Sequence, residues 1–191
     1  MEGRAFMEIT KFLEAFCLYP HGSGQKTLVE HLKIGNIDVK KYINEYWPSR
    51  QRHGSSIHEI SYRACFKPAL PRFFIQLLTT KKNTVYDPFS GRGTTVIEAG
   101  LLGRRLISND INPLSEIMTY PRFFVPDLKE VKERLSCIPI DRDARADIDI
   151  SMFFHPDTEA EIASLATYLL SRKEAGKEDL IDRWIRMVAT N

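Results

Sequence analysis

Residues 84–103 read TVYDPFSGRGTTVIEAGLLG. A short apolar run, TVY, meets an acid and a proline. Two glycines follow, one residue apart, and then a stretch with apolar side chains at helical spacing. A chain that leaves a strand and turns at once into a helix needs φ values that a Cβ disfavours. Gly91 and Gly93 permit them. Bare glycine backbone also lets a ligand approach its N–H groups, and a helix beginning near Thr94 aims its first unpaired N–H groups at the same spot. Gly103 ends that helix, and RRLISND (104–110) reads as the next strand. Residues 84–110 are therefore expected to form one β-loop-α-β unit, the start of a doubly wound α/β sheet.

The loop excludes two ligand classes. A dinucleotide loop wants GxGxxG, and GRGTTV lacks the third glycine. A P-loop wants GxxxxGK[ST], and Thr94 stands where the lysine would follow Gly93. A third option carries no phosphate. S-adenosylmethionine presents a carboxylate, an amine and a ribose diol. Asp110 ends the second strand, 17 residues after Gly93. An acid about 20 residues beyond a dinucleotide loop holds a ribose in the same way.

DPFSGRGTTVIEAGLLGRRLISNDINP resembles the cofactor half of the amino-directed DNA methyltransferases, which act on cytosine N4 or adenine N6. The family's first motif, DPF-x-G-x-GTT, matches at Asp87, Pro88, Phe89, Gly91, Gly93, Thr94 and Thr95. Its ribose-binding acid falls on Asp110, followed by Ile-Asn-Pro with Asn112. FKPALPRFFIQLL looks like the segment that flanks the methionine end of the cofactor, with Lys67-Pro68 and Leu70-Pro71 at the matching positions. The resemblance covers residues 65–122. It implies S-adenosyl-L-methionine as cofactor, double-stranded DNA as substrate and a restriction-modification setting. It also implies direct in-line methyl transfer with no covalent cysteine intermediate.

The same resemblance implies parts that these residues do not contain. Such enzymes hold the target amine with a [D/N/S]-P-P-[Y/F/W] loop, whose ring stacks on a base flipped out of the duplex. None of the 10 prolines adjoins another. A sheet of about seven strands is implied, and only two strands are legible, with at best a third near 138–140 or 148–151; so small a parallel sheet cannot close a core. The chain is therefore expected to be the N-terminal part of a longer enzyme, a subunit of a split one working with a second chain, or a remnant. It is expected to be inactive alone and to carry no catalytic residue. Two alternatives stay open. RNA guanine-N2 methyltransferases also carry DPF-x-G-x-G turns, and a non-catalytic module that binds cofactor or partner would need no acceptor loop.

The rest of the chain is less specific. RAFMEITKFLEAFCL (4–18) has helical spacing, and HGSG (21–24) breaks it. TLVEHLKIG (27–35) and DVKKYINEYW (38–47) read as two short helices, either a helical cap or a helix-turn-helix, ended by Pro48-Ser49. Residues 49–61 read as a polar linker, and Pro71 as the first turn of a helix. Helices are expected at 111–124, 127–138, from a capping box at Thr158 and Glu161 to about Arg172, and at 178–189. The expected organisation is a helical N-terminal unit (1–48), an α/β cofactor part (49–150) holding a partial Rossmann-like sheet, and a helical segment (151–191).

Residues 1–122 carry 17 Lys and Arg against 11 Asp and Glu, whereas residues 123–191 carry 10 against 14. A basic N-terminal portion can face a phosphate backbone. Arg50, Arg52, Arg63, Arg72 and Arg92 are candidates, and Arg92 could instead reach solvent, substrate or the cofactor carboxylate. His53, His58 and Glu59 lack converging ligands for a metal and read as solvated loop. Trp47 and Trp184 read as core or interface. Three scattered cysteines suggest a reducing compartment. No apolar run approaches the roughly 20 residues of a membrane span, no secretory leader is legible, and a cytoplasmic protein is expected.

Overall fold

The computed structural model describes residues 2–18, 25–47, 55–60, 62 and 65–190. The expected breaks at 21–24 and at Pro48-Ser49, together with Arg50, Arg52, His53 and Arg63, lie outside the described residues. The chain divides into two compact units, Met1–Asp110 and Ile111–Asn191. It is mixed α/β. No described helix is long and apolar enough to cross a membrane.

The first unit opens with α1 (Glu2–Ala15). Next come β1 (Leu28–Ile34) and β2 (Ile37–Ile43), paired antiparallel with Leu28 opposite Ile43 and Ile34 opposite Ile37. The two helices expected here are thus a β-hairpin. The reason lies in the turn: Gly35-Asn36 joins two runs rich in Leu, Ile and Val, and Gly35 takes φ +61°. One hairpin face carries Leu28, Leu32, Ile34, Ile37, Val39 and Ile43, all exposed. On the other face Lys40 pairs with Glu14 of α1 at 3.0 Å. An aromatic cluster ties the N-terminal elements to α2 (Ala69–Leu78): Phe16 lies 5.1 Å from Tyr46, and Tyr46 lies 5.2 Å from Phe73. Trp47 joins this cluster.

The β-loop-α-β unit follows its expected bounds. β3 (Thr84–Asp87) pairs parallel with β4 (Arg105–Ser108), and α3 (Thr94–Leu101) packs on both. Val96, Ile97 and Ala99 of α3 are buried, as is Ile75 of α2. Among the described residues these two strands form a sheet of their own.

The second unit is helical: α4 (Leu114–Thr119), a 3-10 turn at Tyr120–Phe123, α5 (Leu128–Ser136), α6 (Pro156–Glu174) and α7 (Leu180–Thr190). Neither 138–140 nor 148–151 forms a strand. α6 starts two residues before the expected cap, Thr158. Pro156 fixes the first helical φ, and His155 caps through Nδ1, which accepts the Asp157 N–H at 3.3 Å. Asp182 of α7 is fully buried. It accepts from Arg134 of α5 and from Arg172 Nε of α6 at 2.5 Å, so one carboxylate joins three helices. Trp184 is half-buried.

Asp179 also pairs with both arginines, at 2.7 Å from Arg134 Nη2 and 3.3 Å from Arg172 Nη2, so loss of Asp182 weakens the network without leaving either cation unpaired. Asp182→Ala is expected to destabilise the second unit by about 1–3 kcal/mol. A thermal or urea unfolding curve of wild type and variant checks this; an unshifted curve would show that the network does not hold the helices.

Candidate functional site

The loop between β3 and α3 is built from short hydrogen bonds. Asp87 closes β3, and its Oδ1 accepts the Phe89 N–H at 3.1 Å. The Ser90 N–H donates to Asn109 O at 3.0 Å, and the Asn109 N–H donates to Asp87 O at 3.0 Å, so the loop stays zipped to the exit of β4. Asn109 Nδ2 donates to Pro88 O at 3.3 Å. Ser90 is buried, and its hydroxyl receives that of Ser108 at 2.8 Å. The chain then turns through Gly91 (φ +51°) and Gly93 (φ +79°), both left-handed, as the sequence requires. The Gly93 N–H donates to Ser90 O at 2.7 Å, and Gly93 stands at the N-cap of α3.

Asp110 meets this loop. Its Oδ2 accepts the Gly91 N–H at 2.7 Å, so two residues 19 apart in sequence are in direct contact. Phe89 projects from the loop and is 84% exposed. Thr94 is buried and Thr95 half-buried. Lys67 is exposed and Pro68 begins α2, which packs on α3. Asn112 belongs to the second unit, where its Oδ1 accepts the Leu114 N–H at 3.0 Å and starts α4.

Three residues take places that the sequence reading did not give them. His58 is buried, not solvated: its Nε2 lies 2.8 Å from Glu98 Oε1. Arg72 donates to Glu98 Oε2 at 2.9 Å. Arg92 turns to the backbone of the segment before it. Its Nη1 donates to His58 O at 3.1 Å and Ile60 O at 2.8 Å, and its Nε to Thr94 Oγ1 at 3.2 Å. The signal that could have found this cluster was Glu98 itself, an acid inside the apolar run VIEAG, which demands cationic partners if buried. No group of three or more metal-ligating side chains occurs among the described residues.

Burial pushes the Glu98 carboxyl up, but hydrogen bonds from His58 and Arg72 outweigh it and hold the group below its ordinary value of 4.5. A depressed carboxylate stabilises the fold in full above its unfolded value. That contribution is lost as pH falls through the lower folded-state value. Glu98→Gln is therefore expected to be clearly less stable than wild type at neutral pH, with the gap closing below pH 4.5. Unfolding free energies across pH 2.5–7 check this, and a gap that does not change with pH would contradict it.

Comparison with known proteins finds similarity at the level of sequence. The family profile for DNA methylases of the N6/N4 type matches residues 20–118, just over half of the chain. The chain is 39% identical over 109 residues to the type II methyltransferase M.BsoBI of Geobacillus stearothermophilus, covering 51% of this chain and 21% of that protein. It is 39% identical over 61 residues to the type II methyltransferase M.MvaI of Kocuria varians, covering 30% and 13%. It is 36% identical over 69 residues to the tRNA (guanine(10)-N2)-dimethyltransferase of Methanocaldococcus jannaschii, covering 36% and 19%. The chain thus spans about a fifth or less of these relatives. No solved structure matches it significantly. A profile match across just over half the chain, which includes the glycine loop and the acid after β4, makes this chain a member of the N6/N4 family of DNA methylases, the amino-directed DNA methyltransferases.

Proposed function

We propose that this chain provides the methyl-donor half of an S-adenosylmethionine-dependent enzyme that methylates an exocyclic amine of a DNA base, cytosine N4 or adenine N6. The observation that carries the reading is the 2.7 Å bond from the Gly91 N–H to Asp110 Oδ2. It sets an acid against a bare glycine turn at the ends of two parallel strands, where ligands of open α/β sheets bind. The donor set suits this cofactor. A carboxylate offers about four acceptor positions, more than the Gly91 N–H takes up, and a ribose diol is a suitable donor to such a group. The exposed Phe89 ring offers an apolar face. In this reading Asp87, Pro88, Phe89, Gly91, Gly93, Thr94 and Thr95 shape the cofactor wall. Asp110 orients the ribose, Lys67 and Pro68 flank the methionine end, and Asn112 follows the acid. The strand pair is the beginning of a Rossmann-like sheet. When bound, the cofactor contributes a methyl group on a positively charged sulfur. The protein's part is to hold that methyl in line with the amine.

The acceptor side is a separate matter. The 191 residues contain no Pro-Pro pair. The loop that grips the flipped base therefore comes from polypeptide outside them, in the same chain or in a second one. A second reading keeps the donor half and changes the acceptor to a guanine N2 of RNA. It is favoured by the identity to the tRNA dimethyltransferase.

Asp110→Ala is expected to weaken S-adenosylmethionine binding by about 1–3 kcal/mol through loss of charge-assisted hydrogen bonds. Titration calorimetry measures it, and unchanged affinity would remove Asp110 from the site. Transfer of labelled methyl groups to duplex DNA and to tRNA separates the two acceptors. The chain alone is expected to transfer none. Turnover appears when a polypeptide carrying the Asp-Pro-Pro or Ser-Pro-Pro loop is added.

A further inference from the structure

The donor loop is held on one side by Asp110. On its other side runs a segment that no motif of the family resemblance assigned. It begins with the 3-10 turn Ser56–His58 and continues past Ile60 to Tyr62. Three contacts bind it to the loop and its helix. His58 Nε2 lies 2.8 Å from Glu98 Oε1, with both side chains at most 5% exposed. The Arg92 guanidinium donates to the carbonyls of His58 and Ile60 at 3.1 and 2.8 Å. The Tyr62 ring lies against Gly91 so closely that a Cβ there would stand 3.3 Å from Tyr62 Cε1. Each residue of the Gly91–Gly93 turn is therefore fixed: Gly91 between Tyr62 and Asp110, Arg92 by two carbonyls, and Gly93 by Ser90 O.

We propose that this segment is a strap that holds the donor loop in its double left-handed conformation. Arg92 and Glu98 are then positioning residues for the methyl donor, not contacts to it or to DNA phosphate. Arg92 is suited to this because a planar guanidinium presents several N–H donors in a fixed fork, and two carbonyls plus Thr94 Oγ1 use that fork in one geometry. Glu98 acts one step further back. It anchors His58, and through it the carbonyl that Arg92 grips. It also anchors Arg72 in the first turn of α2, so strap, loop helix and flanking helix share one charge. Without the strap, two glycines separated by a single residue in one turn sample many backbone conformations, and a cofactor must then reorder them on binding. The statement about the methyl donor rests on the function proposed above; the strap itself does not.

Amide hydrogen exchange on the ligand-free 191-residue chain tests the strap, and calorimetry with S-adenosylmethionine tests the positioning role. In Arg92→Met the Gly91 and Gly93 amides are expected to exchange about tenfold faster or more, while the amides of the α3 interior keep their rates. Affinity is expected to fall about tenfold, by loss of preorganisation. Arg92→Lys, which keeps a donor to one carbonyl, recovers part of both effects, and it carries the comparison if Arg92→Met does not fold. Glu98→Gln shows the same pattern in weaker form. Unchanged Gly91 and Gly93 exchange overturns the strap. Faster exchange at unchanged affinity overturns the positioning role. Wild-type chain that binds no S-adenosylmethionine overturns the proposed function and leaves the exchange result to stand by itself.

Discussion

Glu98 is 2% exposed in a helix whose neighbouring side chains Val96, Ile97 and Ala99 are all buried apolar groups. An ionised carboxylate taken out of water costs several kcal/mol unless it is paired and hydrogen-bonded. The partners here are His58, 40 residues upstream, and Arg72, 26 residues upstream. The helix that carries Glu98 is therefore tied to both segments. The position of α3 fixes where Gly93 stands, and Gly93 fixes the exit of the glycine loop. A purely apolar α3 could slide or rotate against α2 at little cost. The buried charge removes that freedom and gives the loop a single register.

Legibility in the sequence followed the strength of local punctuation. TVYD, the glycine pair, Gly103 and RLIS were each bounded by residues with one strong preference, and the unit forms as read. The hairpin was missed because Leu28, Leu32, Val39 and Ile43 satisfy spacing of four as well as spacing of two. What decided between them was the Gly35-Asn36 turn between β-branched runs, whose pull toward a two-residue hairpin outweighs a short helical period. His58 sits among serines and a glutamate and looked solvated. Its burial is dictated from outside its own neighbourhood, by an acid 40 residues away. Arg92 misled for the same reason: a cation in a ligand loop suggests a ligand, yet the nearest acceptors are carbonyls of a segment that sequence alone does not bring near. The contact between Gly91 and Asp110 was foreseeable, since parallel pairing of the two strands puts both chain exits at one edge.

The second unit uses the same device in another setting. Asp182 is a buried acid shared by arginines from two other helices, as Glu98 is shared by a histidine and an arginine. In both units most buried contacts are small or aliphatic, and neither core is large. A central carboxylate then contributes specificity of arrangement that modest apolar packing leaves open.

The donor loop and the sheet it belongs to have different requirements. Parallel sheets are stable when both faces are covered. Here Tyr86 and Ile107, register partners on one face of the strand pair, are 57% and 53% exposed. The loop does not wait for that face to be covered. The described contacts, from the Ser90 and Asn109 ladder to the bond with Asp110 and the hydrogen bonds of Arg92 to His58 and Ile60, lie between residues 58 and 110. Those groups use the strand ends and the α3 side, not the exposed face. A loop held this way draws none of these contacts from the exposed strand face. Under the function proposed above, that is the physical condition under which donor and acceptor halves of one reaction can reside on separate parts of a chain, or on separate chains.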